Sequence, residues 1–225
     1  MSARLKGAIR LVAFDLDGTL IDSIGDIAAS VNDALAERYG HESILPLEVI
    51  RSFVGGGARQ LVERSLVVIE RPEADVEAVF KRFLPIYSAR LVETTRLYAG
   101  MAEALEVIQR LARLAVLTNK PGDLSRTIVR EMGLEGRFIA VMGGDDLKTR
   151  KPDPEGLLSL GGQAGASPHQ IALVGDSAVD IQTARNAGAV SIGVLWGYDR
   201  EGMVSAKPDF VVESPAELAG LFAPA

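Results

Sequence analysis

The sequence predicts an α/β protein: a doubly wound, Rossmann-like core of parallel strands with an inserted helical cap. Two observations support this fold class. Short apolar runs alternate with segments of helical periodicity through residues 98–225, which is typical of parallel strands joined by crossover helices. Residues 22–97 show helical spacing and no strand pattern. We therefore expect a discontinuous core, residues 1–21 and 98–225, interrupted by a cap of residues 22–97.

The core strands are predicted from compact apolar or β-branched runs bounded by turn residues, as buried parallel strands usually are. The first run begins at Ile9 and breaks at Asp15. Five more runs predict strands at residues 114–118, 138–141, 171–175, 191–196 and 210–212. Crossover helices are expected between them at residues 101–111, 123–132, 154–160 and 178–187. Gly133 and Gly188 stand where helix C-terminal caps belong.

The cap is predicted to be a set of short helices. Apolar residues at helical spacing, Ile24, Ile27, Val31 and Leu35, predict a first helix that ends at Gly40. Pro46, the glycine run 55–57 and Pro72 divide the remainder into further helices. The apolar residues Leu66, Val67, Val68 and Ile69 could form cap core or a dimer face, and we expect core. Connections near Ile21 and Tyr98 would act as two hinges.

Composition narrows the functional classes. The net charge of −6 disfavours nucleic-acid or anionic-membrane binding, so we expect a small phosphorylated metabolite or similar soluble ligand as partner. The chain has no cysteine, which excludes thiol chemistry and thiolate metal sites. No apolar segment approaches the roughly 20 residues of a membrane span. Basic residues near the start, Arg4, Lys6 and Arg10, precede too short an apolar run for a signal peptide, so a cytoplasmic location is predicted. The sequence leaves monomer and homodimer both open.

Two carboxylates follow the first strand. Because side chains alternate along a strand, Asp15 and Asp17 can point into one pocket if the extended geometry persists through Leu16. Such a pair can bind a divalent cation or divide nucleophilic and acid/base duties. An ordinary acidic turn would use the same residue types, because Asp and Gly are common in turns.

Other predicted strand ends also carry polar side chains. Thr118 and Asn119 suit phosphate oxygens, although they could equally cap the next helix. Lys151 lies in a proline-rich loop, within a charge run that by itself indicates only a solvated face. Asp176 ends the run 171–175, and Asp180 lies one helical turn further on. A doubly wound sheet brings such strand ends together at one edge.

These segments together resemble the motifs of the haloacid dehalogenase superfamily, over nearly the whole chain. The matching stretches are DLDGT at residues 15–19, Thr118-Asn119, Lys151 before Pro152, and GDSAVD at residues 175–180. The inserted helices resemble the small mobile cap of the subgroup that contains phosphoglycolate phosphatases. Further similarity to that branch lies in TNKP at 118–121, KPDP at 151–154, NAGA at 186–189 and IGVLWGY at 192–198.

The resemblance implies a magnesium-dependent phosphatase that hydrolyses a small phosphomonoester through an aspartyl-phosphate. It implies Asp15 as the nucleophile and Asp17 as the general acid and base. Mg²⁺ would be held by the Asp15 carboxylate, the Asp17 backbone carbonyl and Asp176. Asp180 would not bind the ion directly but would hold the residues around it. The groups expected to hold the transferring phosphoryl group are Thr118, Asn119 and Lys151.

Substrate choice is expected to depend on the cap loop 54–60, which resembles the loop that touches the leaving group in capped phosphatases. Gly56 would supply backbone freedom and an exposed amide. Arg59 could pair with a carboxylate such as that of phosphoglycolate, or could be a surface arginine at a helix start. Pyrophosphatase, sugar-phosphate phosphatase and nucleotide phosphatase activities stay open.

Other activities are disfavoured by single residues. A dehalogenase of this family lacks the second acid, which here is Asp17. A phosphonatase needs a cap lysine for a Schiff base, and Lys81, the only lysine of the insert, has neighbours that do not suggest this role. A phosphomutase would need a cap histidine near the acids, unlike His41 or His169. A phosphoaspartate signalling domain would lack so large an insert. A dinucleotide site at glycines 55–57 would need a preceding strand.

Overall fold

A computed structural model describes residues 5, 7–41, 44–71 and 75–223 of the chain. Arg4, Lys6 and Pro72, used in the predictions above, lie outside these residues. In chain order the strands are β1 (Leu11–Phe14), β2 (Ile21–Asp22), β3 (Arg96–Leu97), β4 (Arg113–Leu117), β5 (Phe138–Met142), β6 (Ile171–Gly175), β7 (Val190–Val194) and β8 (Phe210–Val212). Six of them form one parallel sheet in the order β5-β4-β1-β6-β7-β8. The predicted doubly wound core is confirmed.

The helices in the described residues are α1 (Ile24–Tyr39), α2 (Leu47–Arg51), α3 (Ala58–Val68), α4 (Val76–Ala89), α5 (Met101–Gln109), α6 (Gly122–Glu131), α7 (Glu155–Ala164), α8 (Ala178–Ala187), α9 (Arg200–Ser205) and α10 (Pro215–Phe222). Gly133 and Gly188 follow α6 and α8 with φ of 69° and 67°, as C-terminal glycines should. None of the helices within these residues is long and apolar enough to cross a membrane.

The central strand β1 is buried on both faces, and its side chains alternate between two apolar layers. Val12 and Phe14 join the layer that also holds the cap residues, while Leu11 and Ala13 join a second layer packed under α7. All four side chains are fully buried. This double burial explains why the strand is a continuous apolar run rather than an alternating one.

Helix α7 is longer than predicted because two glycines, Gly161 and Gly162, stay helical. A Cβ atom on Gly161 would lie 2.4 Å from the Cδ1 atom of Ile171 on β6. The missing side chain therefore lets the helix approach the sheet closely. The prediction that this helix ends at Leu160 was wrong because glycine serves here as a packing residue and not as a helix terminator.

Helices α1–α4 occupy the segment for which the sequence predicts a cap. Leu66 is fully buried on α3, as expected, and Ile69 is partly buried against the same apolar cluster. The expectation of core positions was wrong for Val67 and Val68, which are 62% and 49% exposed. Consecutive residues of a helix point in different directions, so a four-residue apolar run cannot all face inward.

A short antiparallel ribbon joins the two ends of the insert. Ile21 pairs with Leu97 and Asp22 pairs with Arg96 across β2 and β3. The interpretation of residues 22–97 as free of strands was therefore wrong at both ends. Strands of two residues are too short to show the alternation by which strands are recognised. The ribbon places the start and the end of the cap side by side.

Asp26 on α1 reinforces this junction. Its carboxylate is 1% exposed and accepts hydrogen bonds from the backbone N–H and the hydroxyl of both Thr94 and Thr95, at 2.6–3.1 Å. Burial by itself would raise the pKa of Asp26, but these hydrogen bonds outweigh it and lower the pKa. The first cap helix is thereby fastened to the segment that leads back into the core.

We expect Asp26→Asn to destabilise the protein by about 2–3 kcal/mol near neutral pH, because an amide places an N–H against the threonine donors. A carboxyl group whose folded-state pKa is lowered contributes stability above its unfolded-state pKa and loses it as pH falls through the folded-state value. The difference from wild type should therefore shrink below about pH 4. Denaturant unfolding at several pH values measures this.

The matched control is Asp33→Asn on the same helix, where the side chain is half exposed and pairs with Arg90. It should change stability by less than about 0.5 kcal/mol. An equal loss in both variants, or a pH-independent loss at Asp26, would contradict the assigned role.

Candidate active site

The predicted core residues meet at the C-terminal ends of β1, β4 and β6. This is the edge at which open parallel sheets bind their ligands. The structure brings together seven side chains from four separate segments, all of them at least nine-tenths buried: Asp15, Asp17, Thr118, Asn119, Lys151, Asp176 and Asp180.

Lys151 is the centre of this cluster. Its Nζ atom lies 2.8 Å from Asp15 Oδ1 and 2.7 Å from Asp180 Oδ1, with only 2% of its side chain exposed. Burial acts to lower the pKa of Lys151, but the two carboxylates overcome this and raise it above the usual range. The lysine is therefore charged. Burial raises the pKa of Asp15 to about 6, against the opposing effect of Lys151.

Asp176 completes a group of three buried carboxylates. Oxygen atoms of Asp15, Asp176 and Asp180 lie within 4.8 Å of one another. Asp176 accepts hydrogen bonds from the Thr19 hydroxyl at 3.0 Å and from the Tyr198 backbone N–H at 2.7 Å. Burial, together with the charges of Asp180 and Asp15, raises its pKa to about 8. One lysine therefore does not balance this group.

The donor set fits a magnesium ion. Carboxylate oxygens are the ligands that a small, hard divalent cation prefers, and such a cation would supply the positive charge that the cluster lacks. Both Asp180 oxygens already accept hydrogen bonds, from Lys151 Nζ and from the Ser177 N–H and hydroxyl. Asp180 is therefore suited to hold Lys151 in place. That the Asp15 and Asp176 side chains hold the ion stays a prediction.

Asp17 has a different environment. Its two oxygens lie 3.0 and 2.9 Å from Lys120 Nζ, and Oδ1 also accepts a hydrogen bond from the Ser23 hydroxyl at 2.6 Å. The Lys120 ammonium in turn donates to the hydroxyl of Tyr87 on α4. Lys120, Ser23 and Tyr87 were not predicted as site residues from the sequence. The only signal was Lys120 in the TNKP stretch, which carried the family resemblance and suggested no role.

Asn119 connects the cap with the core. Its side-chain N–H groups donate to the carbonyl oxygens of Gly55 in the cap loop, at 3.0 Å, and of Lys151, at 3.1 Å. Its Oδ1 atom is buried without a partner among the described residues. The neighbouring Thr118 hydroxyl accepts from the Lys120 backbone N–H. Phosphate binding by Thr118 and Asn119 stays a prediction.

A cavity of about 40 Å³ lies between the carboxylates and the cap. Asp15, Asp17 and Lys120 line its core side. The cap contributes a mostly apolar wall of Ile27, Val54, Gly55, Gly57, Ala58, Leu61, Phe83 and Tyr87. Among the described residues that line this cavity, Lys120 is the one cation.

The structure does not bring Arg59 to this cavity. Its guanidinium pairs with Glu77 at 2.7 Å on the outside of the cap, and its side chain is 54% exposed. Gly56 lies between two lining residues, Gly55 and Gly57. Gly57 has φ of 91° and approaches the core so closely that a Cβ atom would lie 3.1 Å from the Asn119 carbonyl oxygen. The roles of Arg59 and Gly56 in substrate choice stay predictions.

Comparison with known proteins identifies the family. Residues 12–194 match the haloacid dehalogenase-like hydrolases. The chain belongs to this family.

Relatives of this haloacid dehalogenase-like hydrolase include phosphatases. It is 36% identical to a phosphoglycolate phosphatase of Agrobacterium fabrum over 92% of this chain and 90% of that one. It is 38% identical to one of Chromobacterium violaceum, over 95% and 96%. A crystal structure from Haemophilus somnus, described as a predicted phosphoglycolate phosphatase, is similar with a TM-score of 0.87 and 31% identity, over 95% and 98%. The hydrolase is therefore of the phosphatase type.

The carboxylate cluster predicts an unusual dependence of stability on pH. The pKa values of Asp15 and Asp176 are raised in the folded state, which therefore retains protons that the unfolded chain has lost. With chelator present, stability should accordingly fall as pH rises from about 4 to about 8. Asp176→Asn should remove much of this slope and raise the melting temperature near pH 8 by about 2–4 °C, equivalent to about 1 kcal/mol.

Thermal unfolding with chelator and with Mg²⁺ tests this. Mg²⁺ should stabilise the wild type, increasingly so at higher pH, and should have little effect on Asp176→Asn. Asp123→Asn, at an almost fully exposed carboxylate, is the control and should behave as wild type. A wild-type stability that rises with pH in chelator would contradict the interpretation of this cluster.

Proposed function

We propose that this protein is a magnesium-dependent phosphomonoesterase that acts through an aspartyl-phosphate and prefers phosphoglycolate. The observation that carries the proposal is that two carboxylates of one cavity have different partners. Asp15 contacts Lys151 within the metal-type cluster, whereas Asp17 contacts Lys120 and Ser23 outside it. Two acids in different surroundings are suited to two roles, one nucleophilic and one acid/base.

In the first step an Asp15 carboxylate oxygen forms a bond to phosphorus as the bond from phosphorus to the ester oxygen breaks. The Asp17 carboxyl gives its proton to the departing oxygen, so that a neutral alcohol leaves and Asp17 becomes a carboxylate. Lys151, which contacts Asp15, lies beside the phosphoryl group and offsets its negative charge. Thr118 and Asn119 would orient the same group.

In the second step a water oxygen bonds to phosphorus as the bond from phosphorus to Asp15 breaks. The water proton passes to the Asp17 carboxylate, which restores both acids and releases inorganic phosphate. Mg²⁺ would be held by the Asp15 carboxylate, the Asp17 backbone carbonyl and Asp176, and when bound it supplies charge that neutralises phosphoryl oxygens. Asp180 and Thr19 hold the residues around it.

The relatives support a small substrate. Two phosphoglycolate phosphatases are 36% and 38% identical to this chain, and glycolate is a two-carbon leaving group. The mostly apolar cap wall of the cavity would contact such a leaving group.

A panel of phosphate esters with Mg²⁺ tests the proposed activity. We expect phosphoglycolate to be hydrolysed at least about 10-fold more efficiently, in kcat/KM, than pyrophosphate, sugar phosphates or nucleotides. Asp15→Asn should lower kcat by at least about 10³-fold without changing the fold, because no bond to phosphorus can then form. Asp33→Asn is the control.

Excess chelator should abolish turnover, and Mg²⁺ should restore it. Persistent activity in chelator would exclude the magnesium role, and substantial activity of Asp15→Asn would exclude the nucleophile. If another ester has the highest kcat/KM, it would replace phosphoglycolate as the proposed substrate, and the proposed reaction would stand.

Arg59 can be tested separately. To reach a substrate carboxylate it must leave Glu77, which costs little because the pair is exposed. If Arg59 binds the carboxylate, Arg59→Ala raises the KM of phosphoglycolate about 10-fold or more and leaves unchanged the KM of ethyl phosphate, which has no carboxylate. Glu77→Ala, which removes only the partner, should not raise either KM. Equal KM values for wild type and Arg59→Ala would exclude this role.

A further inference from the structure

Lys120 is a buried cation that the reaction above does not use. Its side chain is 4% exposed, and it lies within 3.0 Å of both oxygens of Asp17. A contact with both oxygens restricts rotation of the carboxylate, which a contact with one oxygen would permit. Burying an ammonium group is costly without such partners, so this position is held by specific contacts and not by general solvation.

The cap holds Lys120 from the other side. The Tyr87 hydroxyl lies 2.5 Å from Lys120 Nζ, and its ring centroid lies 4.5 Å from the same atom. Tyr87 is itself 2% exposed and stacks on Phe83, with 5.4 Å between ring centroids. Both aromatic residues belong to α4 and line the cavity. A single ammonium group thus joins the cap helix to the core carboxylate.

We propose that Lys120 is a positioning residue for Asp17, and that Tyr87 holds it in place when the cap covers the cavity. This inference rests on the proposed function, because it assigns Lys120 to the acid/base group of that reaction. Lys120 fixes the direction in which the Asp17 carboxyl presents its proton to the departing oxygen. It fixes equally the direction in which the carboxylate later accepts a proton from water. Errors of about 1 Å in such geometry cost about 10²-fold in rate.

The alternative role for Lys120 is to pair with a carboxylate of the substrate, because it is the one cation among the described residues lining the cavity. The contacts favour the positioning role, since both Asp17 oxygens and the Tyr87 hydroxyl already surround the ammonium group. The two roles predict different kinetics, so one set of variants separates them.

The test compares two small substrates that differ in their need for an acid. Ethyl phosphate must receive a proton as ethanol leaves, whereas acetyl phosphate releases acetate, which leaves as a stable anion. Lys120→Met should lower kcat/KM for ethyl phosphate about 10²-fold and change kcat/KM for acetyl phosphate less than about 3-fold. Asp17→Asn, which removes the acid itself, should show the same pattern with a larger loss.

Breakdown of the aspartyl-phosphate provides a second readout. Both substrates form the same intermediate, and its hydrolysis needs Asp17 as a base. Lys120→Met should therefore accumulate the phosphoenzyme during turnover of acetyl phosphate. Radiolabelled phosphate retained on the acid-quenched protein measures it. If Lys120 served only the fold, Lys120→Met would lower kcat/KM for both substrates alike, and the phosphoenzyme would not accumulate.

Three further variants keep the inference testable if Lys120→Met folds poorly. Tyr87→Phe removes only a hydroxyl and should lower kcat/KM about 3–10-fold for ethyl phosphate alone. Lys120→Arg, which keeps the charge, should restore part of the lost activity. Lys81→Met removes a lysine from the exposed face of α4 and should equal wild type.

Two results would overturn the inference. One is a raised KM for phosphoglycolate with unchanged kcat and unchanged values for ethyl phosphate, which would make Lys120 a substrate ligand. The other is an equal loss for ethyl and acetyl phosphate in both Lys120→Met and Tyr87→Phe. Failure of the proposed function itself is distinct, because then the wild type would hydrolyse neither substrate in an Asp15-dependent way.

Discussion

The ion contacts of Lys151 are the constraint on which the site depends. Three carboxylates lie within one buried space, and mutual repulsion would drive protons onto them or push them apart. Lys151 lies between Asp15 and Asp180 and makes short contacts with both. Because Asp180 is itself held by Ser177 at the start of α8, the lysine has a fixed position. Asp15 is oriented by the same contact, so Lys151 and the carboxylate proposed as the nucleophile are held in place together.

Close backbone approach completes this arrangement. A Cβ atom on Gly18 would lie 2.3 Å from Asp176, and one on Gly197 would lie 2.1 Å away. Gly175 similarly admits the side chain of Asp180. Glycine at these positions lets three segments crowd around the carboxylates without intervening side chains. The close spacing of charges at the edge of the sheet therefore depends on these glycines as well as on the acids.

The second acid is separated from the first by its own lysine. Asp15 and Asp17 are two residues apart and line the same cavity, yet Lys151 contacts one and Lys120 the other. Lys151 lies in the core loop before α7. Lys120 follows Asn119 in the chain, and Asn119 donates a hydrogen bond to the Gly55 carbonyl oxygen of the cap loop. One acid is thus organised by the core alone, and the other by the region where core and cap meet.

Much of this arrangement could be predicted from the sequence. Buried parallel strands appear as continuous apolar runs, and the rule that their C-terminal ends meet brought Asp15, Thr118 and Asp176 together correctly. Lys120 and Tyr87 could not be paired in this way, because they are 33 residues apart and meet only where two separate layers pack. The error at Val67 and Val68 arose because a run of consecutive apolar residues was assigned to the core as a whole, although successive residues of a helix point in different directions.

The β2–β3 ribbon and Asp26 have an evolutionary consequence. Since the cap leaves and rejoins the core at paired residues, its ends are already together, and its length adds little closure entropy to the core. The length of the insert between Asp26 and Thr94 can therefore vary without changing this anchorage. Exchange of α4 would in addition remove Tyr87 and its contact with Lys120. The same reaction can in this way acquire new substrate specificities through changes in one continuous segment of the chain.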